Sequence, residues 1–177
     1  MTQSNHSQLL STDEEVQLRA AIEQDPGTAH FRGRLALHCW RSGDLSEAIG
    51  WIDSSLEIDP TNVHYYRIRA NVLVDRNLSA RAVETALKAT EILPESVLAR
   101  LLTVRMLLAD LKPTMAQEAL DATLDLDPNH QQLHEMKSLQ KQILNMISQS
   151  KRDPVKWLSR KLQKRKANVA GENQALA

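Results

Sequence analysis

The chain has 177 residues and carries 22 basic and 22 acidic side chains, so its formal net charge is zero. A single cysteine, Cys39, excludes an internal disulfide and suits a reducing compartment. No apolar run approaches the roughly 18 residues of a membrane span, and no secretory signal is visible, so we expect a cytoplasmic protein.

The first predicted element is an amphipathic helix that begins near Ser11 and ends before Pro26. Its apolar side chains recur at helical spacing, and Thr12 with Glu15 has the pattern of a capping box at its start. The preceding residues, 1–10, are polar, and we expect them to be disordered.

Proline then returns at a fixed interval along the chain. Pro26, Pro60, Pro94 and Pro128 are each 34 residues apart, and three of them follow an aspartate. Because proline has no N–H and disfavours helix in the residue before it, each one predicts the end of a helix. A period of this length is typical of repeat proteins.

The period defines three full units, residues 29–62, 63–96 and 97–130, and each reads as two amphipathic helices. In the first unit Gly43 predicts the left-handed residue that ends the first helix. Asn77 and Leu111 replace this glycine in the later units, and we expect the turn at Leu111 to have a different shape. A single hairpin cannot bury its apolar face, so neighbouring hairpins are expected to stack.

This pattern resembles the tetratricopeptide repeat family over residues 29–130. The matching residues of the first unit are Leu35, Gly43, Asp44, Glu47, Ala48, Ile49, Leu56, Glu57, Asp59 and Pro60. Those of the later units are Tyr66, Ala70, Ala82, Ala89, Pro94, Ala116, Leu120, Leu124, Asp127 and Pro128. The resemblance implies an all-α, right-handed superhelical solenoid of antiparallel helix pairs. Small residues at 48, 82 and 116 would lie where paired helices touch.

The flanks of the repeats are predicted to act as ends of the stack. We predict a repeat domain over residues 11–150, with a half repeat at 11–28, the three full repeats, and a capping helix at 131–149. A basic amphipathic helix is predicted at 151–167, and residues 168–177 are expected to form a disordered tail.

Catalytic motifs are absent from the sequence, which has no Gly-rich phosphate loop, no HExxH and no GxSxG. His38 and Cys39 are neighbours, but adjacent helical residues point about 100° apart, so we interpret Cys39 as a core thiol. His130 and His134 have metal-like spacing without a third ligand, which favours surface histidines. We therefore expect no enzyme activity, no cofactor and no metal.

The resemblance also implies a binding surface, because the first helices of successive repeats in this family line a concave groove that holds peptides. The positions that correspond to the groove are His30, Leu37, Trp40, Arg41, His64, Arg67, Asn71, Val74, Leu98, Leu101, Arg105 and Leu108, with Gly33 among them. Arginines between apolar side chains favour an apolar segment that carries one or two carboxylates. For Leu101 and Leu108, packing against a neighbouring helix remains an equal alternative.

Some members of the family bind the acidic C-terminus of heat-shock chaperones through a clamp of Lys, Asn and Arg. The corresponding positions here are Gly33, Leu37, Ile68, Leu98 and Leu102, and none has a clamp side chain. We therefore predict that this chain does not bind such C-termini.

The segment 151–167 has eight basic residues and one acid. The residues predicted to contact a partner or a polyanion are Lys156, Trp157, Arg160, Lys161, Lys164 and Arg165. Three interpretations stay open: a cap on the last repeat, a helix that docks a partner, and a weak contact with an anionic surface. Specific nucleic-acid recognition is poorly supported.

Two functions follow from these observations. The first is a non-catalytic scaffold or adaptor that binds a protein segment in the groove. The alternative is a small cytoplasmic chaperone for an exported protein, similar in size and repeat number to the three-repeat chaperones of type III secretion. The sequence leaves the partner, the pathway and the oligomeric state open.

Overall fold

A computed structural model describes residues 3–127 and 131–157, together with 159, 160 and 163. All regular structure in these residues is helical, which confirms the all-α class. The helices are α1 Gln3–Gln24, α2 Ala29–Ser42, α3 Leu45–Ile58, α4 Val63–Asp75, α5 Ser79–Ile92, α6 Val97–Ala109, α7 Pro113–Leu126 and α8 Leu133–Arg152. Backbone contacts divide the chain into two compact units, residues 1–72 and 73–177.

The repeating prolines lie between helices, as the period predicts. Pro26 follows α1, Pro60 follows α3, and Pro94 follows α5, while Pro128 lies outside the described residues. The residues that follow α3 and α5, Asp59 and Leu93, still donate their N–H groups to carbonyls four residues earlier. Each proline therefore separates one pair of helices from the next.

The turns within the three hairpins share one geometry. Gly43, Asn77 and Leu111 all have a left-handed backbone, with φ of 88°, 62° and 56°. In each turn the left-handed residue donates its N–H to the carbonyl three residues earlier, as Gly43 does to Trp40. The residue after it donates its N–H to the carbonyl five residues earlier, as Asp44 does to Cys39. All of these hydrogen bonds are 2.8–3.1 Å long. The expectation of a different shape at Leu111 is wrong. Satisfying the last carbonyls of the helix outweighs the cost of about 1–2 kcal/mol for a left-handed leucine.

We expect Gly43→Ala to lower the free energy of unfolding by about 1 kcal/mol. A Cβ added at Gly43 would meet no atom within 4 Å, so backbone strain is the whole cost. Gly27→Ala is the control, because its φ is not positive and its added Cβ would make only an ordinary 3.6 Å contact with Asp25. Chemical denaturation compares the two variants, and equal losses of stability would contradict the role assigned to the left-handed turn.

The core of residues 1–72 lies among α1, α2, α3 and the first part of α4. Leu35, Ala36, Ala48 and Ile52 are completely buried. The buried Ser55 donates a hydrogen bond from Oγ to the carbonyl oxygen of Ala29, at 3.3 Å, which links α3 to the start of α2. The zero exposure of Ala48 agrees with a small residue where paired helices touch.

Helix α1 is longer than the sequence indicates. It begins at Gln3, so residues 3–10 are helical, which corrects the expected disorder there, and Thr12 lies within the helix instead of at its start. Residues 1 and 2 lie outside the described residues. No proline or glycine interrupts residues 3–24, so nothing forces the helix to start at Thr12.

An ion-pair cluster connects α1 to α3. The Arg19 guanidinium pairs with Glu15 and with Glu47, and it lies 5.7 Å from the centre of the Trp51 ring. Trp51 donates its indole N–H to Glu47 at 3.0 Å. This hydrogen bond and the arginine lower the pKa of the Glu47 carboxyl. The cluster fixes the register of α1 against the first full hairpin.

In residues 73–177, α6 packs between its neighbours and buries more side chains than α5 or α7. Successive helices α5, α6, α7 and α8 contact one another in chain order, and α6 also contacts α8. Ala82, Ala116 and Leu120 are completely buried, so the small residues of the later repeats lie in the core as expected. Thr90 and Thr103 share a hydrogen bond of 3.0 Å between α5 and α6.

Helix α8 closes this unit. It buries Met136, Leu139 and Ile143 on one side and leaves Leu144 56% exposed on another. It spans Leu133–Arg152, so it begins and ends a few residues later than the predicted capping helix at 131–149. The predicted domain boundaries stay a prediction.

Within the described ranges, no helix combines the length and the apolar character that crossing a bilayer requires. The predicted tail, 168–177, lies outside the described residues.

Candidate functional site

Helices α2 and α4, the first helices of the first two hairpins, lie directly against each other. A Cβ added at Gly33 would lie 2.5 Å from Cε1 of Tyr65, so the tyrosine ring occupies the space that a side chain would need. Tyr65 is 7% exposed. The glycine at this predicted groove position therefore serves close helix packing, and the two helices present one surface.

The predicted groove residues on this surface differ in exposure. The exposed ones are His30, Arg41, His64 and Arg67, and the half-buried ones are Leu37, Trp40 and Asn71. Within the described part of the chain, Arg67 forms no ion pair, so its guanidinium can donate hydrogen bonds to an acidic ligand. The surface combines cations and imidazoles with partly covered apolar side chains.

The predicted groove residues within residues 73–177 lie at the end of α4 and along α6. Val74 and Leu108 are half-buried, Leu98 is 40% exposed, and Leu101 is only 2% exposed. Of the two alternatives for Leu101, its burial favours packing over ligand contact. Leu98 and Leu108 keep surface that a ligand could reach.

Arg105 is already paired within the protein. Its guanidinium lies 2.5 Å from a carboxylate oxygen of Glu135 on α8, with side chains 43% and 29% exposed. This pair was not predicted from the sequence, because Glu135 lies on a helix beyond the three full repeats. Glu135 follows Leu101 by 34 residues, so extending the period places it at the position that corresponds to Leu101 in the next unit.

A pocket of about 460 Å³ opens at the start of α6 and the end of α7. Leu98 and Leu126 supply its apolar lining, and Glu95 and Asp127 supply carboxylates. Leu126 is 38% exposed and had not been singled out from the sequence. This pocket gives Leu98 a polar, acidic neighbourhood, in contrast to the cationic surface of α2 and α4.

The neighbouring His38 and Cys39 do not form a reactive pair. Cys39 is 3% exposed, and its burial, with help from the carboxylates of Glu47 and Glu15, raises the pKa of its thiol to about 12. The thiol therefore stays protonated at neutral pH and is a poor nucleophile. His38 approaches the carboxylates of Glu14 and Glu15 on α1, at 3.9 and 3.7 Å.

The predicted C-terminal contact residues are only partly described. Lys156 and Arg160 are exposed, and Trp157 is half-buried. Lys161, Lys164 and Arg165 lie outside the described residues, as does His130 of the histidine pair. Among the residues that are described, no group of three His, Cys, Asp or Glu side chains could hold a metal ion.

Comparison with known proteins identifies the repeat. The sequence profile of the tetratricopeptide repeat family matches residues 17–63, which span the end of α1, the hairpin of α2 and α3, and the first residue of α4. Over these residues the chain is similar to the tetratricopeptide repeat family. No curated protein sequence matches it significantly.

Solved structures share the fold of this chain. Pseudomonas aeruginosa pilF has a TM-score of 0.62 at 18% identity, with 95% of this chain and 72% of that chain covered. The TPR2B domain of yeast Sti1, in complex with an Hsp70 peptide, has a TM-score of 0.57 at 21% identity and coverage of 66% and 96%. The first TPR of Spaghetti (RPAP3), bound to an HSP90 peptide, has a TM-score of 0.51 at 19% identity and coverage of 64% and 91%.

The positions of this chain that correspond to the clamp carry no acid-binding side chain. Gly33 faces the ring of Tyr65, while Ile68 and Leu102 are buried at 9% and 3% exposure. Leu37 is half-buried and Leu98 is partly exposed, and both are apolar. That the chain does not bind the acidic C-termini of heat-shock chaperones stays a prediction.

Proposed function

We propose that this protein is a non-catalytic interaction module that binds an extended segment of a partner protein on α2 and α4, the first helices of its first two repeats. The observation that carries the proposal is the surface of α2 and α4. These helices are packed through Gly33 and Tyr65, and they carry the exposed Arg67 together with the half-buried Leu37 and Trp40. Such a surface can bind a peptide without rearranging the core.

The chemistry of this surface favours an apolar peptide that carries a carboxylate. Arg67 can pair with a carboxylate in a bidentate geometry, and Leu37 and Trp40 can cover apolar side chains. In two of the structures with this fold, the bound ligand is a chaperone peptide. This supports peptide binding as a use of the fold, although the missing clamp argues for another peptide here.

The third repeat contributes differently. Because Glu135 already neutralises Arg105, a ligand carboxylate would have to displace it. We therefore assign the acidic part of the ligand to Arg67.

Selection of a displayed peptide library against the whole chain tests the proposal. We expect enriched peptides to be apolar with one or two carboxylates, and Arg67→Glu to weaken their binding by about tenfold or more, since a charge-assisted hydrogen bond contributes about 1.5–3 kcal/mol. Arg81→Glu, at another exposed arginine but on a second helix, is the matched control and should bind normally. Arg105 is better changed to glutamine, because a glutamate at position 105 would repel Glu135.

The outcome separates the alternatives. Equal binding by wild type, Arg67→Glu and Arg81→Glu would remove the groove from consideration. Micromolar binding of a peptide ending in Glu-Glu-Val-Asp would overturn the prediction about heat-shock chaperones. Co-purification of a single exported protein in stoichiometric amount would favour the chaperone alternative over an adaptor, which should instead yield a mixed complex.

A further inference from the structure

The end of α8 forms an elbow that the sequence itself specifies. The residue before a proline disfavours helix, so α8 ends at Arg152 and Asp153-Pro154 follows. Asp153 donates its N–H to the carbonyl of Gln149 at 3.1 Å. Its side chain accepts the backbone N–H of Lys156 at 2.9 Å, which caps a new helical turn. The same aspartate therefore fixes the chain on both sides of the break.

A pocket of about 300 Å³ lies at this elbow. It is lined by Gln149, Arg152, Asp153, Lys156, Trp157 and Arg160. The three cations recur every four residues and are exposed, whereas the tryptophan is half-buried. Among these lining residues the one carboxylate is already engaged in the cap, so the pocket presents a concentrated positive charge beside an indole.

Positive charge and apolar surface continue beyond the pocket. Residues 151–167 carry a net charge of +7, and Val155 is 77% exposed. Basic side chains mixed with exposed apolar and indole groups are typical of helices that lie in the interface of an anionic bilayer. Arginine, in addition, can bind a phosphate group through two parallel hydrogen bonds.

We propose that the elbow pocket binds the phosphate group of an anionic lipid headgroup, so that the turn from residue 154 to 160 rests on a membrane surface. The pocket cations Arg152, Lys156 and Arg160 hold the phosphate, and Val155 contacts the boundary between headgroups and acyl chains. An acidic peptide could occupy the pocket, but it would leave unexplained both the exposed valine and the spread of charge over 17 residues.

Vesicle flotation with the full chain tests this proposal. The probes are vesicles of phosphatidylcholine alone and of phosphatidylcholine mixed with anionic phosphatidylglycerol. We expect binding only to the anionic vesicles, and weaker binding as salt rises. The double variant Lys156→Gln with Arg160→Gln should bind about 25-fold more weakly, since each basic residue near the surface contributes about fivefold.

A matched pair outside the pocket controls for net charge. Lys137→Gln with Lys141→Gln removes two exposed lysines at the same spacing from α8, and binding should change less than about twofold. Trp157→Ala keeps every charge, and it should also weaken binding because it removes a wall of the pocket. Circular dichroism confirms that the variants fold.

Each remaining outcome overturns the proposal. Equal losses in the two charge pairs, with no effect of Trp157→Ala, would show diffuse attraction without a pocket. Tight binding of free glycerol phosphate without any preference for anionic vesicles would assign the pocket to a soluble phosphate. Binding of polyglutamate without vesicle binding would assign it to an acidic protein.

Discussion

Ile52→Ala is expected to lower the free energy of unfolding by about 2–5 kcal/mol. Ile52 is completely buried in the core of residues 1–72, so the truncation removes apolar contacts and leaves a cavity that rigid helices fill only in part. The control lies on the same helix, where Ile58 is 41% exposed, and Ile58→Ala should cost less than about 1 kcal/mol.

Chemical denaturation followed by circular dichroism measures both isoleucine variants. A loss for Ile52→Ala no larger than that for Ile58→Ala would mean that α3 does not face the core as described. The repeat assignment of this helix would then have to be revised.

Gly33→Val should lower the free energy of unfolding by about 1–3 kcal/mol, because overpacking displaces the ring of Tyr65. A Cβ at Gly33 would already lie 2.5 Å from that ring, whereas a Cβ at Gly50 would meet no atom within 4 Å. Gly50→Val, also in the middle of a helix, should therefore change stability by no more than about 0.5 kcal/mol.

Thermal unfolding of the two valine variants distinguishes packing from helix propensity. If both variants change stability by the same amount, the close approach of α2 and α4 has no energetic role, since the gain in helix propensity from Gly to Val is common to both. A perturbed Tyr65 environment in Gly33→Val alone, seen by near-ultraviolet circular dichroism, would support the packing explanation.

Much of the fold could be predicted because its signals are local. The prolines at positions 26, 60 and 94 mark helix ends through their own ring and missing N–H, whatever surrounds them. The hairpin turns were harder to predict. Leu111 adopts the left-handed conformation that Gly43 adopts, because the hydrogen bonds of the turn compensate for an unfavourable residue. Propensity at one position does not reveal that compensation.

The candidate site was predicted only in outline. Aligned positions gave the side chains on the first helices, but not which of them are available to a ligand. Leu101 is buried, Arg105 is engaged by Glu135, and Gly33 makes room for Tyr65. Each of these facts depends on a neighbouring helix that is distant in sequence, so no local pattern contains it.

The sequence by itself determined the period, the helix pairs, the positions of the first helices and the elbow at Asp153-Pro154. These follow from proline geometry, helical periodicity and side-chain caps, which act within a few residues. Tertiary structure alone decided that Arg67 stays exposed, that Cys39 is held as an unreactive thiol, and that three cations and Trp157 surround one pocket. Burial and ion pairing depend on which helices become neighbours in space, and only the packed chain fixes that.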